Sequence, residues 1–197
     1  MIRTQLSYPQ LCLSRESLRL YSFNLSGAIT AIKPRIEVAV SCHDRPITLD
    51  FVEPTIIQQR STRGDKIFVA YHQSKSVAYL FATTKSCWVE EIQNSFIVAE
   101  GEVYLYDVYT SVEYRRNRIC SSLISNAVQF FKIQGFAYAL IFSRASNIQS
   151  VRAIERAGFE SYETIHFYNL LGVKMWNFLQ RRDDVQSRFT NEIREAQ

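Results

Sequence analysis

Arg115, Arg116 and Arg118 lie together just after the run Tyr104-Leu105-Tyr106-Asp107-Val108-Tyr109-Thr110 and just before an apolar stripe at Ile119, Leu123, Ile124, Val128 and Phe131. The run is β-rich and the stripe has helical spacing, so a basic turn feeds the first turn of a helix. The leading N–H groups of a helix have no intrahelical acceptor and carry the positive end of its dipole. Together with the guanidinium groups they form a site for a phosphate-type anion, built here from Arg115 and from the N–H groups of Arg116, Asn117, Arg118, Ile119, Cys120 and Ser121. The strand before the turn carries a second chemical group. Strict alternation puts Asp107 on the same face as Val103 and Leu105, where an unpaired carboxylate is costly, so it requires a partner or a task. A bulge near Val108 would re-aim it. Pairing with a nearby arginine or capping a turn is one reading, and service as a general base toward an amine, directly or through water, is the other.

The elements that must hold these groups follow from the pattern. Lys66 to His72 and Ser76 to Thr83 read as a hairpin, and Phe96 to Ala99 reads as a third strand leading through Glu100-Gly101 into the strand with Asp107. A helix from Arg118 to about Ile133, stopped by Gln134-Gly135, covers the apolar face of this meander. Ala137 to Phe142 is nearly all apolar and suits a buried parallel strand. Ser146 and Gln149 form a capping box for a helix whose inward face is Val151, Ile154 and Ala157, ended by Gly158. Phe159 to Asn169 and Val173 to Phe178 are two further strands around Leu170-Leu171-Gly172.

The first 65 residues hold all four prolines and differ in composition from the rest. Leu18 to Phe23 and Ile36 to Val40 alternate as strands, and Glu53 to Arg60 is a short helix with Pro54 in its first turn. Asp183 to Gln197 keeps only Val185, Phe189 and Ile193 as an apolar stripe and is expected to be a surface helix.

A strand, then R-x-x-G-x-G/A, then a helix, with N-x-x-S about thirty residues on and a helix ending in Gly-Phe, resembles the acetyl-CoA-binding core of the GNAT-type N-acetyltransferase superfamily. Arg115, Asn147, Ser150, Gly158 and Phe159 occupy matching positions, while Arg118 and Cys120 stand where the pattern has Gly and Gly or Ala. The resemblance implies an α/β (α+β) fold with a mixed, mostly antiparallel central sheet flanked by helices and one strand–helix–strand crossover. It divides the chain into 1–65, an atypical N-terminal part of the same domain on the acceptor side; 66–180, the acetyl-CoA-binding core; and 181–197, a polar C-terminal helix or tail. It implies acetyl transfer from acetyl-CoA, as co-substrate, to a primary amine of a small molecule or peptide by direct attack. The pyrophosphate would sit on the basic turn with Asn147 nearby, and the pantetheine along the freed backbone of Val108, Tyr109 and Thr110. Asp107 is the candidate base. The tyrosine that often serves as the acid is replaced by Ile154, which leaves Tyr109 or Tyr138 as substitutes. A scaffold protein that has kept the fold, or an enzyme using a longer acyl-CoA, are the rival readings.

Bulk properties exclude other classes. With 47% hydrophobic and 21% charged residues the 197-residue chain is an ordered globule. A net charge of +4 without extended basic runs argues against nucleic-acid binding. Cys12, Cys42, Cys87 and Cys120 lack zinc or redox spacing, and His43, His72 and His166 are isolated, so no metal is expected. Met1-Ile2-Arg3-Thr4-Gln5 leads into no apolar signal core, and no apolar run approaches the ~20 residues of a membrane span. The expectation is a cytoplasmic protein with reduced thiols. No G-x-S-x-G or P-loop pattern is present, and Cys120 with a distant histidine is a remote thiol-enzyme alternative.

Overall fold

The computed structural model describes residues 13–180 and Phe189. The elements, in chain order, are β1 (Leu13–Asn24), β2 (Ala39–His43), α1 (Pro54–Arg63), β3 (Lys66–His72), β4 (Lys75–Thr83), β5 (Cys87–Val89), β6 (Asn94–Phe96), β7 (Glu102–Thr110), a 3₁₀ turn Val112–Tyr114, α2 (Ile119–Ile133), β8 (Tyr138–Arg144), α3 (Ile148–Arg156), β9 (Glu160–Leu170) and β10 (Val173–Gln180). Eight strands form one sheet in the order β10-β9-β1-β8-β7-β4-β3-β2. Only β7 and β8 run parallel. The expected mixed, mostly antiparallel sheet with flanking helices is thus the observed architecture. No helix among the described residues is long and apolar enough to cross a membrane.

The helical periodicity is realised in packing. Ile119, Leu123, Ile124, Val128 and Phe131 of α2 are all buried against Phe68, Leu80, Val103 and Leu105 of the sheet. Val151, Ile154 and Ala157 join the same cluster from α3. The opposite face of the sheet holds a second cluster around Phe96, Tyr104, Tyr162 and Phe167. The β9–β10 connection is a two-residue turn in which Leu171 and Gly172 both have positive φ, +56° and +88°, the conformation that matches strand twist.

The structure corrects several sequence expectations. The third strand does not extend the meander: β6 ends at Phe96 and pairs with β5 in a separate two-stranded flap, while β7 pairs directly with β4. The first helix continues past Arg60 to Arg63 before Gly64 ends it at φ +95°. The second strand begins at Ala39, not Ile36, because the preceding segment is committed elsewhere. That segment is a strap along α2. Leu25 N–H donates to Ala137 O (2.9 Å), Lys132 Nζ to Gly27 O (2.5 Å), Ser125 Oγ to Thr30 O (3.0 Å) and Arg35 N–H to Asn117 O (2.9 Å), while Ile29, Ile32 and Ile36 pack on the core. The first strand is set in the sheet interior between β8 and β9, so this portion of the N-terminal third builds the sheet.

The helix expected over Asp183 to Gln197 lies outside the described residues except for Phe189. That residue is 4% exposed and forms a β-bridge with Phe96, and its ring meets Phe96 edge-on at 5.4 Å and lies tilted against Phe178 at 6.3 Å. One of the three stripe residues therefore belongs to the core. Phe189→Ala should cost about 3 kcal/mol or more. For a domain of this size, 3 kcal/mol is a fall in Tm of roughly 6–12 °C. Thermal melts of the full chain check this, and an unchanged Tm would place Phe189 outside the cooperative unit.

Candidate active site

The site originates in a mismatch between two strand partners. Strand β7 stays paired with β4 as far as Thr110, but its pairing with β8 stops at Leu105 and Ile141. Beyond that point the two parallel strands separate, leaving backbone free on both. On the β4 side Tyr79 opposes Tyr109 and Phe81 opposes Tyr106, so Leu80 faces two residues, Asp107 and Val108. This is a β-bulge, with Asp107 at φ +46°.

The bulge overturns the alternation that placed Asp107 with Val103 and Leu105. Its carboxylate points to the opposite face, accepting hydrogen bonds from Tyr79 Oη (3.0 Å) and from the Arg60 guanidinium. Arg60 itself lies over the rings of Phe81 (4.2 Å) and Tyr106 (5.0 Å), a seating that adds cation–π attraction to the ion pair. Burial, then the neighbouring Asp107 carboxylate, push the Tyr79 hydroxyl well above the usual tyrosine range. The pairing with a nearby arginine foreseen for Asp107 is therefore present, and Arg60 is that arginine.

Beside it lies a second, more buried network. Asp65, 2% exposed, is held by Arg63 through Nε at 3.0 Å to both carboxylate oxygens. The Tyr106 hydroxyl donates to Asp65 and accepts from Arg63 Nη2 (2.7 Å). The buried carboxylate is thus fully partnered. Burial, reinforced by the bond to Asp65, raises the Tyr106 hydroxyl far above its ordinary value. Sequence reasoning missed these residues. Arg60 and Arg63 share one face of α1 at i, i+3, a spacing that becomes visible only once the helix is carried to Arg63.

A cavity of about 1070 Å³ runs between the separated strands. One wall is α1 with Arg60 and Arg63, one is the β5–β6 flap with Trp88, Glu90 and Glu91, and the far end is formed by Cys120, Ser143, Asn147 and Ile154. Asp107 and Val108 line its middle. Tyr109 lies elsewhere: its ring stacks among Phe51 and Tyr79 at 5.2 and 5.8 Å, outside the cavity wall. Tyr138 is 40% exposed at the start of β8, the end away from the strand separation. Neither stands where a proton donor to the cavity would.

The basic turn has the geometry of an anion cradle. The first intrahelical bond of α2 is Ser122 N–H to Arg118 O (3.0 Å), and no side chain caps the helix, so the N–H groups of Ile119, Cys120 and Ser121 are left for a ligand. No acidic residue stands in the first turn. Arg116 and Arg118 adopt left-handed φ values of +65° and +61°. Arg118 thus takes the backbone conformation for which glycine is the usual residue, while keeping a side chain. Arg115 folds back, Nε donating to Thr110 O (3.1 Å), and its guanidinium stands 5.9 Å over the Tyr109 ring. Asn117 Nδ2 closes the turn on Tyr114 O (3.1 Å) and Arg115 O (3.3 Å). Cys120 lines the cavity behind the turn, and burial pushes its thiol up to about 12.

Asn147 is the N-cap of α3, its side chain accepting from Ser150 N–H (3.1 Å), so the cap is one residue beyond the expected Ser146. It also lines the cavity. Gly158 ends that helix at φ +89°, and a Cβ there would lie 2.9 Å from Phe23, whose ring packs on Phe159 at 5.5 Å. The three histidines are engaged locally: His72 Nδ1 donates to Glu37 O (2.7 Å), His166 Nδ1 bonds Ser17 Oγ (2.7 Å) and His43 Nε2 bonds Tyr71 Oη (3.4 Å). No group of three or more His, Cys, Asp or Glu able to hold a metal occurs among the described residues.

Comparison with known proteins places the chain among them. The profile of the acetyltransferase (GNAT) family matches residues 38–159. Among solved structures, a GNAT-family acetyltransferase from Colwellia psychrerythraea superposes with a TM-score of 0.54 at 13% identity, over 80% of this chain and 57% of its own. A GCN5-related N-acetyltransferase from Kribbella flavida gives 0.52 at 13% identity over 80% and 59%. One from Sphaerobacter thermophilus gives 0.54 at 10% identity over 90% and 56%. At such identities the likeness is one of fold, and the chain spans a little over half the length of these three proteins. No curated protein matches the sequence.

Left-handed φ at a residue with a Cβ costs about 1–2 kcal/mol. Glycine removes that cost but gives back roughly 0.5–1 kcal/mol in unfolded-chain entropy. Arg118→Gly should therefore raise stability by about 0.5–1 kcal/mol, or roughly 1–4 °C in Tm, measured by thermal or urea melts. A lower Tm would mean that the Arg118 side chain itself supports the fold.

Proposed function

The chain belongs to the acetyltransferase (GNAT) family, and from that premise we propose that it transfers an acetyl group from acetyl-CoA to a primary amine of a small molecule or peptide. The observation that carries this reading is the strand separation after Leu105 and Ile141, which opens onto the uncapped N-terminus of α2. Acetyl-CoA, when bound, supplies the activated thioester. The protein's own part is binding, orientation and proton management. The N–H groups of Ile119, Cys120 and Ser121 and the positive end of α2 hold the pyrophosphate, with Arg115, Arg116 and Arg118 adding charge and Asn117 keeping the turn closed. The freed backbone of Val108, Tyr109 and Thr110 pairs with the pantetheine, and a backbone N–H there polarises the thioester carbonyl. Asn147 borders the same channel from α3.

The acceptor enters between α1 and the β5–β6 flap. Its ammonium group first gives a proton to Asp107; the neutral amine then attacks the carbonyl carbon, the C–N bond forms as the C–S bond breaks, and the proton that the nitrogen sheds on becoming an amide goes to the departing sulfur. Asp107 is the base of this scheme, sharing its carboxylate among Arg60, Tyr79 and the incoming amine. Tyr109 contributes through its backbone, since its ring is directed away from the cavity. The setting proposed for this chemistry is the cytoplasm, where acetyl-CoA is available and free thiols such as Cys42, Cys87 and Cys120 persist.

Two measurements test the scheme. Acetyl-CoA at ~100 times Kd should stabilise the fold by about 2.7 kcal/mol. For this size of domain that is about 5–10 °C in Tm. The shift should shrink as salt is added, because part of the attraction is charge on charge. Absence of any shift at millimolar acetyl-CoA, with no heat by calorimetry, would favour a scaffold protein that keeps the fold without the chemistry. With an acceptor found by screening amines for CoA release, Asp107→Asn should lower kcat by ~100- to 10,000-fold, while acetyl-CoA affinity stays near that of the parent chain. Wild-type turnover in that variant would make the Asp107–Arg60 pair purely structural.

A further inference from the structure

Two arginines in the anion turn hold left-handed φ, and non-glycine residues keep such conformations only where their surroundings over-determine them. Part of the restraint is internal, from Asn117 Nδ2 and Arg115 Nε. The rest comes from outside the turn. Arg35 donates its backbone N–H to Asn117 O (2.9 Å) and its Nη1 to Arg116 O (3.4 Å), so one residue engages the two carbonyls between the left-handed positions. Arg35 is the terminal anchor of the strap along α2, whose other ties are Lys132 to Gly27 and Ser125 to Thr30. Ile32 and Ile36 on either side of Arg35 are packed on the core, which fixes the backbone while the Arg35 side chain stays at the surface.

We infer that Arg35 is a positioning residue for coenzyme binding: it holds the carbonyls of Arg116 and Asn117 outward so that the N–H groups of the turn and of α2 face the pyrophosphate. Arg35 precedes the segment, residues 38–159, that matches the family profile, so nothing in the family pattern points to it. The physical logic is compensation. With glycine the turn would adopt its φ values at no steric cost; with arginines at 116 and 118 the same backbone must be held, and the strap holds it. The inference rests on the coenzyme reading above but can fail independently of it.

The test compares the parent chain with Arg35→Ala and Arg35→Lys, using coenzyme A as the probe in calorimetry at low salt and at 0.5 M NaCl. Arg35→Ala should weaken coenzyme A by about 3- to 10-fold, the worth of one hydrogen bond. The loss should persist at high salt, where a charge effect would be screened. Lysine cannot reproduce the guanidinium contact with the Arg116 carbonyl and should leave most of the defect. The Tm of the ligand-free variants should stay within a few degrees of the parent, since Arg35 is exposed. Parent-like affinity in Arg35→Ala overturns the inference, as does a defect that disappears with salt or with lysine, which would reduce Arg35 to a point charge. Failure of the parent chain itself to bind coenzyme A overturns the coenzyme reading instead.

Discussion

The hydrogen-bond commitment of β7 governs the molecule. The strand is paired on both sides at Tyr104 and Leu105, and from Tyr106 to Thr110 on the β4 side only. A buried strand that loses a partner exposes polar backbone, which is costly in a core unless water or a ligand satisfies it. The architecture accepts that cost at one place and shields the rest. Phe68, Leu80, Val103 and Leu105 lie under α2, while Tyr104 packs against Phe96 and Phe142 on the other face. The bulge at Asp107 and Val108 belongs to the same event, because the extra residue turns the strand as it leaves β8. One local irregularity thereby opens the cleft, frees the backbone and brings a carboxylate to the cavity wall.

Much of this was legible in the sequence where periodicity speaks directly. The stripe Ile119, Leu123, Ile124, Val128 and Phe131 defined α2 and its buried face, and the apolar run from Ala137 defined the parallel strand. The direction of Asp107 was not legible from alternation, since a bulge shifts every later residue by one and leaves no marker in composition. The flap strand β6 was misassigned to the main sheet because three-residue strands carry too little alternation to reveal their partner. The N-terminal strap was opaque for a related reason. Its hydrogen bonds go to helix side chains and loop carbonyls, so it has no period of its own. Tyr109, a substitute for the missing acid beside the candidate base Asp107, could not be judged from spacing alone, and its packing on Phe51 and Tyr79 away from the cavity shows only in the structure.

Glycine-free anion turns pose an energetic question. Glycine would let the backbone approach a phosphate closely and would remove the left-handed strain. Arginine supplies charge and donors instead, and charge acts over a Debye length whereas a backbone N–H acts only on contact. The turn therefore exchanges conformational ease for long-range attraction. Such an exchange is workable only if the backbone is restrained by its neighbours, which here are Asn117, the folded-back Arg115 and the strap. Stability in the turn is drawn from tertiary contacts more than from local propensity.

The same separation of roles extends through the cavity. Its three lining arginines, on α1 and at the end of β8, are each matched by an acid: Arg60 by Asp107, Arg63 by Asp65, and Arg144 by Glu16 at 3.6 Å. Glu90 and Glu91 on the flap enter none of the ion pairs among the described residues. The helix N-terminus and its arginines remain positive at the opposite end. Carboxylates on the flap and free helix N–H groups near the opposite end therefore border one cavity. Asp107 stands on the wall of that cavity with Arg60 seated against it, so the strand irregularity that opens the cleft also fixes the charge beside it.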